Sequence, residues 1–158
     1  MSDGLALRPL RADEYAAWRQ HVTEAYATDI SENGDTPRAA ADQQAVEGMA
    51  QVLPDGLTTP GHLIFALDLD GASVGTLWLA EREVSGRQAL FVYDVEVDPA
   101  WRGRGIGRSA MLLAEAQALA LGIHRIELNV FGGNTVARNL YRSLGYLEAA
   151  VKMGKNLP

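Results

Sequence analysis

The apolar positions along this chain change their period once, near residue 60. Before that point Tyr15, Trp18, Val22 and Tyr26 recur at three- and four-residue spacing behind Asp13, which predicts a helix. Residues 31–35 are polar and predict a loop. A second helix follows, with Thr36 as its cap and Pro37 in its first turn. Its apolar face reads Val46, Met49, Ala50 and Leu53, and Pro54-Asp55-Gly56 ends it. Ahead of both helices, residues 5–10 form a short apolar run broken by Pro9, the signature of an edge strand. After residue 60 the pattern is strand-like. Residues 62–69 and 73–80 flank Asp70-Gly71, a two-residue hairpin signal, and Ser85-Gly86 turns the chain into a third strand over 89–97. A glycine-rich loop then leads to a helix over 107–121, a strand over 125–131, a helix over 135–144 and a final strand from about Tyr146. Gly122 and Gly145 serve as helix stops.

That order predicts an α/β fold with a mixed α+β sheet: an antiparallel meander, then a βαβ unit, with helices on both faces. At 158 residues, with no repeat or linker, the chain predicts a single domain over 1–158. No run approaches the ~18 apolar residues of a membrane span, and Met1-Ser2-Asp3-Gly4 lacks the layout of a leader, so a cytoplasmic location and no membrane partner are expected. The absence of cysteine removes disulfides, thiolate metal sites and any acyl-cysteine intermediate. His21, His62 and His124 are too far apart in sequence to suggest a metal site, so no metal is expected. The net charge is −6, and the excess is local: residues 1–60 carry ten acids against four arginines. This balance argues against nucleic acid as a partner. The acidic first third is either a solvated surface or a field that attracts a cationic substrate.

The densest chemical signal runs from Val95 to Arg108. A strand enters a loop with Gly103, Gly105 and Gly107 at alternate positions, and a helix starts at once. Glycines let a backbone approach a ligand closely, and a helix start offers unpaired N–H groups and partial positive charge. Arg102, Arg104 and Arg108 add cations to the same loop. The arrangement predicts a phosphate or pyrophosphate site. Gly105-Ile106-Gly107-Arg108-Ser109-Ala110 also fits the dinucleotide fingerprint, which leaves a nicotinamide-dependent oxidoreductase as an alternative. Against it, residues 98–102 separate strand from glycines, and Glu127 falls in mid-strand rather than at a carboxyl end. No Gly-Lys-Ser/Thr is present, so a P-loop is excluded.

Arg102-x-x-Gly105-x-Gly107, directly after Val95-x-Val97-Asp98-Pro99, resembles the R/Q-x-x-G-x-G/A signature of the GNAT N-acetyltransferase superfamily. Asn134, Ala137, Tyr141 and Gly145-Tyr146 resemble its C-terminal element, and the likeness covers residues 62–150. The resemblance implies an acetyl-CoA-dependent transferase acting on a primary amine, with residues 1–60 on the acceptor side and 62–150 as the acetyl-CoA-binding core. It implies that main-chain N–H groups of Gly103, Arg104, Gly105, Ile106 and Gly107 hold the CoA pyrophosphate, and that Val95 and Val97 pair with the pantetheine arm and the acetyl carbonyl. It also implies that the strands over 89–97 and 125–131 splay apart to admit the cofactor. Asn134 would touch the pantetheine arm, cap its helix, or do both. Tyr141 would protonate the departing thiolate. The base is open: the family's usual carboxylate position is Phe91 here, and Asp94 and Glu96 are the nearby candidates, either as bases or as structural carboxylates. Glu81, Glu83 and His21 rank below them. Family members are often dimers, which makes a homodimer an expected state. A non-catalytic acyl-CoA-binding module is the rival from another class.

Overall fold

A computed structural model describes residues 4–158; Met1, Ser2 and Asp3, on which the leader argument partly rested, lie outside the described residues. The elements are β1 (Leu5–Pro9), α1 (Ala12–Gly34), α2 (Arg38–Val52), β2 (His62–Leu69), β3 (Ala72–Val84), β4 (Arg87–Val97), α3 (Ile106–Ala120), β5 (Ile126–Leu128) and α4 (Thr135–Ser143). The sheet order is β1-β2-β3-β4-β5. The first four strands are antiparallel and β4/β5 is parallel, as the α3 crossover requires. The hairpin at Asp70-Gly71 has both residues at positive φ, 50° and 85°, and Ser85-Gly86 repeats this at 53° and 75°. Two left-handed residues in succession match the twist of the flanking strands, so the meander expected from sequence forms with its expected turns.

Alternation along β3 divides the core. Leu77 and Leu79 face α3, whose Ile106, Ala110, Met111, Ala114 and Ala118 cover that side. Trp78 faces the other way, where Trp18 and Val22 of α1 and Met49 of α2, with Leu53 just past its end, close over it and Ile64. Helices therefore cover both faces. No helix among the described residues is long and apolar enough to cross a membrane.

Expectations are corrected at three places in the chain. Residues 31–34 are helical rather than a loop: Ile30 is buried beside Ala27, Ala41 and Ala45, and Asp35, left-handed at φ 52°, ends the helix. The polar residues there are the exposed side of α1. Second, the buried face of α2 is Ala41, Ala45 and Met49, while Val46 is 58% exposed. Small side chains win that face because they let α2 approach α1 closely. Pro37, not Thr36, takes the cap position. Third, the strand expected over 125–131 is regular only at Ile126–Leu128, and no strand forms from Tyr146 onward.

Candidate functional site

β4 carries an extra residue at the centre of the molecule. Trp78 pairs with Asp94 and Leu79 with Val92, so Tyr93 is a bulge. The bulge changes which residues offer main-chain groups to the outer edge. Before it, the Leu90 N–H donates to the Arg125 carbonyl of the β5 side at 2.9 Å. After it, the Asp98 N–H donates inward to the Val74 carbonyl at 2.9 Å. Even-numbered residues therefore face β5 early in the strand, and odd-numbered Val95 and Val97 face the outer edge late. Pairing with β5 stops at Val92 and Leu128. Beyond that point the two strands part, and β4 keeps an open edge of outward N–H and C=O groups. Such an edge accepts one more extended chain.

The loop that follows makes one tight turn over Pro99–Trp101 and then uses Gly103 and Gly105 at φ 75° and 79°. Gly105 is the N-cap of α3, and the first bond of the ladder is Ser109 N–H to the Gly105 carbonyl at 3.1 Å. The N–H groups of Ile106, Gly107 and Arg108 have no intrahelical partner and point out of the helix start, where the dipole favours an anion. The three arginines are distributed. Arg102 donates through Nε to the Val97 carbonyl at 2.9 Å and lies 3.7 Å from Glu96. Arg104 stacks 5.0 Å above the Trp101 ring, and Arg108 donates to the Ser143 hydroxyl of α4. Arg102 thus occupies the Val97 carbonyl, and Val95 with the Val97 N–H remains for a ligand. A Cβ on Gly107 would lie 3.5 Å from Leu140, so α4 packs directly on the loop.

Asp94 stands where the strands part. Its Oδ2 is sealed from solvent with no hydrogen-bond partner. Burial, with the charges of Glu96 and Asp29 beside it, pushes this carboxyl up to about 7; His21 partly offsets the shift. Tyr141, half-buried on α4, has its hydroxyl pushed upward by burial and by the Asp94 charge, so it stays protonated at neutral pH. Tyr141 packs with the cluster on the α3 side of the sheet, within electrostatic reach of Asp94. Glu96 is turned toward α1, where its Oε2 is 2.7 Å from His21 Nε2. Further along α1, Asp29 is raised by burial and by the neighbouring charges of Glu32 and Glu96. A Cβ on Gly133 would sit 3.6 Å from Asn33 Oδ1, so the end of α1 closes over the β5–α4 loop. Asn134 caps α4, accepting the Ala137 N–H at 3.1 Å. An open groove of about 210 Å³ runs along α1 between Trp18, His21, Thr76, Glu96 and Asp98.

Asp94, Val95, Glu96 and Val97 thus lie on the last part of β4, the glycine loop follows it, and α4, which carries Tyr141 behind its cap Asn134, packs on that loop. His21, a lower-ranked candidate base in sequence, carried no motif, and the crossing of α1 over β4 brings it to Glu96. Gly75 escaped that reading: a Cβ there would lie 2.1 Å from the Glu96 carbonyl, so only glycine lets β3 support β4 at this point. Glu81 and Glu83 lie at the far end of β3.

Comparison with known proteins identifies the family. The model of the acetyltransferase (GNAT) family matches residues 12–146. The chain is 30% identical over 97% of its length to the uncharacterized N-acetyltransferase YycN of Bacillus subtilis, covering 99% of that protein. The crystal structure of YycN superposes with a TM-score of 0.92 over 98% of this chain and 99% of that one. A mycothiol acetyltransferase of Clavibacter sepedonicus is 35% identical over 96% of the chain, which spans 45% of that longer protein. In fold alone, AAC(6')-Iy in complex with a CoA-based bisubstrate analogue is similar, at a TM-score of 0.61 over 98% of each chain and 16% identity. A mostly antiparallel sheet of this order excludes the doubly wound nicotinamide-binding alternative. The chain belongs to the acetyltransferase (GNAT) family.

Proposed function

We propose that this acyltransferase moves the acetyl group of acetyl-CoA directly to a primary amine on a cationic small molecule or peptide. Residues 62–150 hold the cofactor and residues 1–60 form the acceptor side. The single observation that carries the reading is the parted β4/β5 edge with the Asp94 Oδ2, sealed from solvent and without a hydrogen-bond partner, beside it. The pantetheine arm extends β4 as an added strand on Val95 and the Val97 N–H. The pyrophosphate sits on the N–H groups of Gly103–Arg108's loop and helix start, and Asn134 closes the arm from α4.

Asp94, with a pKa near neutrality, takes the proton from the incoming ammonium, directly or through a water. The neutral amine attacks the thioester carbon. The new C–N bond forms as the C–S bond breaks, and the sulfur leaves with its electron pair. Tyr141 gives its proton to the thiolate and regains one from the new amide nitrogen, so the products are the amide, the CoA thiol and one proton held on Asp94. With no cysteine in the chain, proximity in a ternary complex and polarisation of the carbonyl by main-chain N–H groups supply most of the rate. Asp29, Glu32, Asp94 and Glu96 favour an acceptor with positive charge beyond the reacting amine.

The test is to incubate the full chain with acetyl-CoA and a panel of polyamines, aminoglycosides and peptide amines. Thiol release coupled to gain of one acetyl group by an amine is the expected result. CoA binding by calorimetry without turnover on any amine would favour a non-catalytic CoA-sensing module, and no CoA binding would end both readings.

A further inference from the structure

The sheet face beneath α1 and α2 carries an array of rings that ends in a cation. Trp78 stacks on Tyr93 with 4.5 Å between centroids, and Phe91 meets Tyr93 edge-on at 4.9 Å. His62 lies 5.8 Å from Trp78 and 5.5 Å from Tyr93. Strand register brings them together. Ala80 pairs with His62 on one side and with Phe91 on the other, so their side chains share a face of the sheet. Two residues away, Trp78 pairs with Asp94, which puts the Asp94 carboxyl on that same face. Arg82, four residues beyond Trp78 on β3, closes the array: its guanidinium lies 4.2 Å over the Phe91 ring and 5.2 Å from the Tyr93 centroid.

Donors converge here and carboxylates do not. Arg82 is exposed, and among the described residues it has no ion-pair partner. Trp78 Nε1 is 3.0 Å from His62 Nδ1. An indole N–H only donates, so Nδ1 accepts and the ring proton sits on Nε2, a second donor. Burial, with the Arg82 charge nearby, pushes the His62 pKa down and keeps the ring in that neutral form. Glu127, paired with Phe91 across β4/β5, is already engaged by Arg125. Glu81 and Glu83 alternate to the other face of β3. In a chain of net charge −6, an unpaired arginine held on rings beside Asp94 is an opening for an anion that the protein itself does not supply.

We propose that Arg82 and His62 form an anion subsite of the acceptor side, and that the acceptor is a short peptide with a free carboxylate seated there while its amine reaches Asp94. The proposal rests on the reading of Asp94 as the group that receives the amine. Four residues of strand span about 13 Å, and the guanidinium leans back toward Tyr93, so amine and carboxylate stand on the order of 10 Å apart. That is the length of roughly three extended residues. Asp29 and Glu32 on α1 and the donors on β2 and β3 ask for opposite charges on one acceptor: a basic group near the amine and an acid at the far end.

The test compares an arginine-containing tripeptide with the same tripeptide as its C-terminal amide. Both are titrated into the CoA-loaded full chain by calorimetry and offered as acceptors with acetyl-CoA. The free acid is expected to bind about tenfold more tightly, with a KM about tenfold lower. R82Q is expected to bring both ratios to about one, and R82K to keep part of the preference, because lysine retains the charge without the planar fork. Equal affinity of the parent protein for acid and amide, no binding of either peptide, or an R82Q chain that keeps the preference would overturn the proposal. Binding that favours the acid without acetylation of any peptide would leave the subsite standing and count against the transfer reading. Turnover with no preference for the acid would do the reverse.

Discussion

Asp94 answers to two opposing demands, since a buried carboxylate without a partner weakens the fold while a base poised near neutrality serves proton transfer. Its pKa in the folded protein, about 7, lies above the ordinary carboxylate value. The unfolded chain therefore gives up this proton first. Stability contributed by the protonated form is complete below about pH 4 and is lost as pH rises through about 7. Asp94→Asn removes that loss, and the variant without ligand is expected to be more stable than the parent at about pH 8, on the order of 2–4 kcal/mol by urea denaturation. Its turnover should fall by about 10²-fold or more, and the limb of the pH–rate profile near 7 should disappear. A variant that keeps the limb would show that another group takes the proton. Tyr141→Phe tests the proposed acid. It should lower kcat by about 10²-fold while calorimetry finds the CoA affinity nearly unchanged; equal loss of both would assign Tyr141 to binding rather than to proton supply. Tyr141 was legible from its place in a motif. The pairing of His21 with Glu96 was not, because 75 residues separate them and nothing local marks the contact.

At the scale of elements, the loop between β4 and α3 and the support beneath β4 make different predictions. Gly105 is left-handed, and a Cβ added there would meet nothing within 4 Å. Gly105→Glu should therefore fold, at a backbone strain of about 1 kcal/mol, and yet place a side chain and a negative charge in the proposed pyrophosphate site. CoA binding should vanish in calorimetry while the unfolding transition stays cooperative. Gly75→Ala is the converse. The 2.1 Å approach of the new Cβ to the Glu96 carbonyl forces β3 and β4 apart. Destabilisation by about 1–3 kcal/mol, with weaker CoA binding, is expected from denaturant titration with and without ligand. Strand and helix order was readable from period and turn chemistry, since Asp70-Gly71 and Ser85-Gly86 leave the backbone little choice. The inner face of α2 was not readable, because Val46 outranks Ala41 and Ala45 in hydrophobicity but is too large for the contact with α1.

At the scale of the whole molecule, a ligand that binds only the folded chain stabilises all of it. Acetyl-CoA or CoA at about 100 times its Kd should add about 2.7 kcal/mol, or roughly 5–10 °C in Tm, whereas NAD should shift nothing. A Tm that moves with NAD and not with CoA would contradict the assignment of the gap. By itself the sequence determined the mixed sheet, the meander followed by a crossover, the glycine-rich helix start and the family, because each is written in local chemistry: turn glycines, apolar period and motif spacing. The tertiary structure alone decided three things. The Tyr93 bulge set which β4 residues turn their main-chain groups to the open edge, since an extra residue is visible only against its partner strand. The crossing of α1 over β4 brought His21 and Asp29 to the acids of the gap. The end of the chain kept its strand-like pattern without becoming a strand, because a strand is a pairing, and these residues pair with none of the five strands.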